Sequence, residues 1–431
     1  MQPQFIIAAP HSGAGKTTVT LALLRALQRR GLKAQPFKCG PDYLDPKHHT
    51  LAAGRPSINL DRYMMSDAHV RRLYAHYSAD ADVSITEGVM GLFDGARKME
   101  GSSASLAAFL KIPVILVVNA RAMAYSAAAL LYGYKNFFPE ITIAGVIFNF
   151  VNTPSHYRIL EEAAADAGIP ALGYLPEQKH IHIPSRHLGL HISSETDYNH
   201  IIDAAADHLE KHIQLEQLLQ LTSREKPPAP AADNTPAGPL RIAVAQDEAF
   251  NFIYRENINA LSRLGTVTYF SPLTTRQLPP ADLLYFPGGY PELHLEALAA
   301  NTPLLTALRQ YQGKILAECG GMMYLGNSIT DESGQTYPMA GLLPVSTSMQ
   351  QKKLSLGYRQ VHINDVLLKG HEFHYSQYTA SPGLTSPHIR VLNARHEPVS
   401  SPVFHTGNIL ASYLHFYFGE DVEGMGRVMG F

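Results

Sequence analysis

The chain has 431 residues, 45% hydrophobic and 17% charged, with a formal net charge of -2 at pH 7. That length implies at least two domains, and so balanced a charge gives no footing for nucleic acid. Two cysteines far apart in sequence, Cys39 and Cys319, argue against a disulfide framework and for a reducing, cytoplasmic setting. No basic-then-apolar leader follows Met1, and no apolar stretch nears the roughly 20 residues of a membrane span, so no membrane partner is expected.

In chain order, Phe5 to Ala9 reads as a buried strand, followed by a glycine-containing loop and a helix from Val19 to Arg29. Further short apolar runs at Ala34 to Phe37, Val83 to Thr86, Val114 to Val118 and Ala144 to Phe148 suit parallel strands covered on both faces. Helical patterns at Ser103 to Leu110 and Tyr125 to Tyr132 complete a βαβ rhythm, and Leu215 to Leu221 closes it as helix. From 223 to 239 the composition changes: residues 227–239 hold five prolines, which reads as an extended linker. A second α/β rhythm starts at Leu240, with strands at Val267 to Phe270, Leu283 to Phe286 and Ile315 to Ala317. The expected division is therefore 1–222, a linker over 223–239, and 240–431.

Pro10-His11-Ser12-Gly13-Ala14-Gly15-Lys16-Thr17-Thr18 lies between the first strand and its helix, where a phosphate-binding loop belongs. Backbone amides over Ser12, Gly13, Ala14 and Gly15 would wrap the phosphates of ATP, Lys16 would reach the β/γ oxygens, Thr17 would ligate Mg²⁺, and Thr18 continues the site. Pro10 stands where the first glycine of the strict pattern belongs. Two acidic loops follow later strands: Lys38-Cys39-Gly40-Pro41-Asp42-Tyr43-Leu44-Asp45-Pro46, and Glu87-Gly88-Val89-Met90-Gly91-Leu92-Phe93-Asp94-Gly95. In an open α/β sheet such loops rim the ligand crevice. Since Mg²⁺ takes one or two carboxylates beside phosphate and water, Asp42 and Glu87 are the preferred ligands, with Asp45 and Asp94 facing the substrate. Asp-Pro and Asp-Gly pairs also make plain turns.

In the second half, Ala317-Glu318-Cys319-Gly320-Gly321 follows an apolar strand and fits a sharp strand-to-helix turn. A thiol there would gain from the helix N-terminus, which lowers its pKa. Phe286-Pro287-Gly288-Gly289-Tyr290-Pro291-Glu292 ends another strand with paired glycines, so the amides of Gly289 and Gly320 are candidates for an oxyanion hole, against the alternative of a tight turn. Cys39 lacks such a setting and reads as an inert buried thiol. The 21 histidines include His180, His182, His187 and His191, whose spacing matches no zinc pattern; His371-Glu372-Phe373-His374 is one residue short of H-E-x-x-H. Both clusters read as substrate-facing or surface.

A late histidine, His415 in Ala411-Ser412-Tyr413-Leu414-His415-Phe416, joined to the central Cys319 elbow resembles the class I glutamine amidotransferases, which implies His415 as the base. In most of that class an acid two places after the histidine orients it, and here that place is Tyr417. The whole chain resembles the cobyrinate a,c-diamide synthase family, on stretches running from Ser12 to Phe416 that include Gly40 to Asp45, Pro184-Ser185-Arg186-His187-Leu188-Gly189-Leu190 and Gly370-His371-Glu372-Phe373-His374-Tyr375. The resemblance implies two α/β domains: an N-terminal P-loop NTPase-type parallel sheet related to dethiobiotin synthetase, and a C-terminal class I glutamine amidotransferase-like domain. It further implies Asn149 as the adenine-reading residue, Tyr43 and Leu44 near the corrinoid, and the substrates ATP, L-glutamine and a cobyrinate-type tetrapyrrole. Ammonia would pass from thiol to phosphate site along a protected path. Hydrogenobyrinate or nickel-sirohydrochlorin as acceptor, a non-catalytic nucleotide switch, and a homodimer stay open.

Overall fold

The computed structural model describes residues 1–178, 181, 185–186, 189–190, 197–230, 237–381, 384, 386 and 388–431, with 185–186 and 189–190 described by backbone alone. The chain divides into two compact units, Met1–Ala232 and Asp233–Phe431. The division falls inside the expected linker.

The first unit alternates strand and helix: β1 (Gln2–Ala8), α1 (Lys16–Arg29), β2 (Ala34–Cys39), α2 (Asp45–Ala53), β3 (Ile58–Leu60), α3 (Asp67–Ser78), β4 (Val83–Glu87), α4 (Ser103–Leu110), β5 (Val114–Asn119), α5 (Ala127–Phe137), β6 (Ile143–Asn149), α6 (Pro154–Asp166) and β7 (Ala171–Leu175). These strands form one parallel sheet in the order β3-β2-β4-β1-β5-β6-β7. Helices on both faces explain the near-continuous apolar runs: Phe5, Ile6 and Ile7 of β1 and Ile115, Leu116 and Val117 of β5 are all buried. A short antiparallel pair follows, β8 (Ser185–Arg186) with β9 (Gly189–Leu190), then α7 (Tyr198–His212) and α8 (Leu215–Leu221). Residues 223 and 224, expected in the linker, instead form β10 (Ser223–Arg224), antiparallel to the start of β1. Pro184, His187 and Leu188, and with them His180, His182 and His191, lie outside the described residues.

Because β1 lies between β4 and β5, the loops after β1, β2 and β4 open at one sheet edge. Register tightens this: Glu87 pairs with Ile7 of β1 on one side and Lys38 of β2 on the other.

The second unit opens with β11 (Leu240–Ala245), α9 (Arg255–Leu264), β12 (Gly265–Phe270), β13 (Leu283–Phe286), α10 (Leu295–Ala300), α11 (Thr302–Gln310), β14 (Lys314–Glu318) and α12 (Gly320–Leu325). Ten strands follow: β15 (Ser328–Thr330), β16 (Thr336–Pro338), β17 (Val345–Ser348), β18 (Ser355–Ile363), β19 (Val366–His374), β20 (Gln377–Ala380), β21 (Ile389–Asn393), β22 (Val403–Thr406), β23 (Ile409–Ser412) and β24 (Leu414–Tyr417), closed by α13 (Val422–Met429). The main sheet has the order β12-β11-β13-β14-β23-β22, parallel except for β22. Two four-stranded sheets, β16-β15-β17-β20 and β21-β18-β19-β24, stand beside it. Only Tyr413 separates β23 in the main sheet from β24 in another, so the chain changes sheets next to the end of β14. Among the described residues, no helix is long and apolar enough to cross a membrane.

Candidate active sites

At the phosphate loop, Gly13 and Gly15 have φ of 79° and 99°, a conformation that glycine adopts without strain. Ser12 and Gly13 are exposed while Ala14 is buried, and α1 starts at Lys16, with Thr17 and Thr18 in its first turn. The Lys16 ammonium donates to the Met90 carbonyl at 2.6 Å, which ties the loop after β1 to the loop after β4. Burial lowers its pKa, an effect Glu87 opposes. The Thr17 hydroxyl donates to Glu87 Oε1 at 2.7 Å.

Glu87 is the centre of this site. It is 1% exposed, and besides Thr17 its Oε1 accepts from Lys38 at 2.9 Å, while Oε2 lies 2.6 Å from His49 Nε2. Burial alone would raise this carboxyl, but Lys38 and His49 hold it far below the usual carboxylate range. Lys38 also pairs with Asp45 and stands 3.8 Å from Asp42 Oδ2, so three carboxylates surround one buried ammonium. Lys38 makes burial of Asp45 and Glu87 tolerable, although burial and the neighbouring Asp42 still raise the Asp45 carboxyl. Sequence reasoning gave no role to Lys38 or His49. Lys38 was nevertheless detectable, since a lysine inside a buried parallel strand requires an acidic partner.

The other expected residues fall around this centre unequally. Asp42 Oδ1 accepts from the amides of Leu44 and Asp45 at 2.9 and 3.0 Å, so it shapes the start of α2 as well as facing Lys38. Tyr43 and Leu44 are buried there. Asp94 Oδ2 accepts from the Gly91 amide at 2.9 Å, the turn alternative realised. Asn149 donates to the Ala14 carbonyl at 2.9 Å and accepts from the Phe150 amide at 3.0 Å, so it anchors the phosphate loop in this structure. A β-carbon on Gly15 would lie 2.1 Å from its Nδ2. For a magnesium ion, the donor set fits: the Thr17 hydroxyl and a Glu87 oxygen already converge, and phosphate and water supply the rest. Cys39 is buried and burial pushes its thiol up to about 12, in keeping with an inert role.

In the second unit, Cys319 has φ 47° and ψ -107°, the strained corner between β14 and α12. Gly320 and Gly321 are needed beside it: a β-carbon on Gly321 would be 2.2 Å from the Phe286 carbonyl oxygen, and one on Gly320 would be 3.2 Å from the Gly289 amide nitrogen. The expected oxyanion donors are therefore neighbours. The His415 ring packs on the preceding residue, since a β-carbon on Gly288 would lie 2.1 Å from its Cε1.

The electrostatics differ from expectation. Burial pushes the Cys319 thiol up, Glu292 adds to this, and the Gly320 amide only partly offsets it. Burial thus outweighs the thiolate-stabilising effect expected of the helix N-terminus. Burial lowers His415 to about 3, with His371 and His374 contributing. Resting thiol and imidazole are thus both neutral. Tyr417 packs edge-on against Tyr254, ring centroids 5.5 Å apart.

Of the cluster His371-Glu372-Phe373-His374, read as substrate-facing or surface, the surface reading fails: His371, Glu372 and His374 are buried, because β19 runs between β18 and β24. Glu372 accepts from Arg359 at 2.7 Å and Ser401 at 2.6 Å and lies 3.1 Å from His374, whose ring stacks on Tyr413. The Phe373 carbonyl between them faces the Cys319 sulfur at 4.0 Å.

Residues 5–190 match the family model described as the CobQ/CobB/MinD/ParA nucleotide binding domain, and residues 241–422 that of the CobB/CobQ-like glutamine amidotransferase domain. The chain is 42% identical over 431 residues to the hydrogenobyrinate a,c-diamide synthase of Stutzerimonas stutzeri, covering 97% of this chain and 96% of that one. It is 40% identical over 440 residues to the cobyrinate a,c-diamide synthase of Salmonella typhimurium, with the same coverage. The corresponding enzyme of Syntrophotalea carbinolica is 41% identical over 446 residues, covering 96% of this chain and 95% of its own. With a nucleotide-binding unit and a glutamine amidotransferase unit on one chain, and relatives matched almost end to end, this protein belongs to the cobyrinate/hydrogenobyrinate a,c-diamide synthase family.

Proposed function

We propose that the protein uses ATP and glutamine to amidate the a and c acetate carboxylates of cobyrinate, acting in the cytoplasm. The observation that carries this most is the coexistence of the Lys16–Thr17–Glu87–Lys38 cluster with the Cys319–His415 elbow on one chain. At the first site a substrate carboxylate oxygen attacks the γ-phosphorus of ATP, ADP leaves, and an acyl phosphate results. Lys16 and Lys38 are the cations available to the developing charge, and the loop amides hold the phosphates in line. Magnesium bound by Thr17, Glu87 and, with rearrangement, Asp42 would offset phosphate charge. Asp45 and Asp94 are proposed toward the substrate, with Tyr43 and Leu44 near the macrocycle and Asn149 near the nucleotide.

At the second site the Cys319 sulfur attacks the side-chain amide carbon of glutamine while His415 takes the thiol proton. The amides of Gly289 and Gly320 receive the oxyanion. His415 then passes the proton to the departing ammonia, and water releases glutamate from the thioester. Ammonia attacks the acyl phosphate, phosphate leaves, and the amide is formed. Relatives of comparable identity carry the hydrogenobyrinate name as well, which makes the metal-free macrocycle the second reading. Side-by-side turnover of the two macrocycles with MgATP and glutamine separates them, since only the true acceptor accumulates a diamide at low substrate concentration.

A further inference from the structure

A general base must be held in one orientation, and position 417, where an acid could hold it, is a tyrosine packed against Tyr254. The hydrogen bonds around β24 supply another anchor. Phe416, the residue after His415, donates its amide to Glu318 Oε1 at 2.9 Å, and the Tyr285 hydroxyl donates to Oε2 at 2.7 Å. Glu318 is buried, and it is the residue immediately before Cys319. One side chain therefore joins the strand that presents the nucleophile to the strand that carries the base.

The amide it takes is one the sheets leave over. Among the described residues β24 is the edge strand of its sheet and pairs only with β19, where His415 lies opposite His371. The β14 ladder ends where Glu318 meets Ser412. The Cys319 amide then donates to the Ser412 carbonyl at 2.7 Å, and Ser412 Oγ accepts from the Leu414 amide at 2.8 Å, turning the chain from one sheet to the next. His415 is thus bracketed by two bonds tied to the nucleophile's own strand, one before it at Ser412 and one after it at Phe416.

We propose that Glu318 is a positioning residue for glutamine hydrolysis: by accepting the Phe416 amide it fixes the main chain that presents His415 to Cys319. It acts as an acceptor of fixed reach. This rests on the second unit being the glutaminase, which is checked separately by loss of glutamine hydrolysis in Cys319→Ala.

Three variants of the full chain test it, each assayed for glutamine hydrolysis and for amidation with ammonium. Glu318→Gln keeps an oxygen for Phe416 and is expected to retain kcat within about threefold. Glu318→Asp keeps the carboxyl but withdraws the oxygen by one methylene, and Glu318→Met fills the space with no acceptor. Both are expected to lose about ten- to hundredfold in kcat for glutamine with little change in KM, and to keep amidation with ammonium. Tyr285→Phe, which removes the other partner of the carboxyl, is expected to hold kcat, whereas a merely structural role would lower stability and kcat in parallel for both. Should the methionine chain fail to fold, the aspartate variant decides. Wild-type kcat in Glu318→Asp, or a fall in Glu318→Gln as deep as in Glu318→Asp, would overturn the proposal.

Discussion

Replacing Gly288 with alanine adds a single methyl group, and its consequence can be worked from the structure. The new β-carbon would stand 2.1 Å from His415 Cε1, 2.9 Å from Nδ1 and 3.1 Å from Nε2. Ordinary contact begins at 3.4 Å, so the imidazole must retreat by about 1.3 Å, the difference from 2.1 Å. Gly288 is not among the positive-φ residues, so alanine brings no backbone strain of its own, and the methyl acts on the ring. A misplacement near 1 Å at a reacting group costs about 100-fold, equivalent to about 2.7 kcal/mol in the barrier. Overpacking costs stability as well, about 1–3 kcal/mol, which a denaturation midpoint measures separately. The assay compares glutamine-supported with ammonium-supported amidation in one preparation: the first is expected to fall about 100-fold and the second to stay. Gly426→Ala, where the added carbon meets nothing within 4 Å, serves as the neutral control. Glutamine-supported turnover at the wild-type rate in the folded Gly288→Ala chain would refute the placement of His415 as base.

Iodoacetamide alkylation of Cys319, mapped by peptide mass, is expected to keep rising with pH well above neutrality, because burial and Glu292 push the resting thiol up; a plateau below neutral pH would contradict this. Lys38→Met leaves Glu87 and Asp45 without their buried cation and is expected to destabilise the first unit by about 3–5 kcal/mol. The same variant should abolish amidation with either nitrogen source yet spare glutamine hydrolysis. Burial raises the Glu318 carboxyl from 4.5 to about 8, so the fold holds a proton that the unfolded chain releases above about 4.5. Stability from this group is therefore full below 4.5 and lost as pH rises to about 8, and the denaturation midpoint of Glu318→Gln should gain on the parent across that window. A constant difference would show that Glu318 does not titrate there.

The sequence discloses those parts of the sites that local geometry dictates. A phosphate loop must sit between strand and helix, and a strained Cys319 must have small residues after it, so both are legible in a dozen residues. The partner that gives Lys38 and His49 their meaning is not, because Glu87 lies 49 and 38 residues away and is brought to them by the β2–β4 register and by α2. The same holds for Glu318, whose partner is an amide 98 residues on. Strands β18 and β19 escaped notice because their histidine, arginine and glutamate interrupt the apolar pattern, and those polar groups find each other only across the sheet. Motif geometry misleads on the thiol for a related reason: the dipole of a short helix is a local effect, while burial is a property of the whole fold.

The central claim is that two chemistries on one chain make amides from glutamine nitrogen. The most direct measurement supplies MgATP, a candidate macrocycle and glutamine carrying heavy nitrogen in its side-chain amide, then follows the macrocycle by mass and ATP by its products. Two amides, both bearing the heavy nitrogen and matched by ADP and phosphate, are the predicted result. Nucleotide hydrolysis and glutamate release with no heavy nitrogen entering either cobyrinate or hydrogenobyrinate would contradict it.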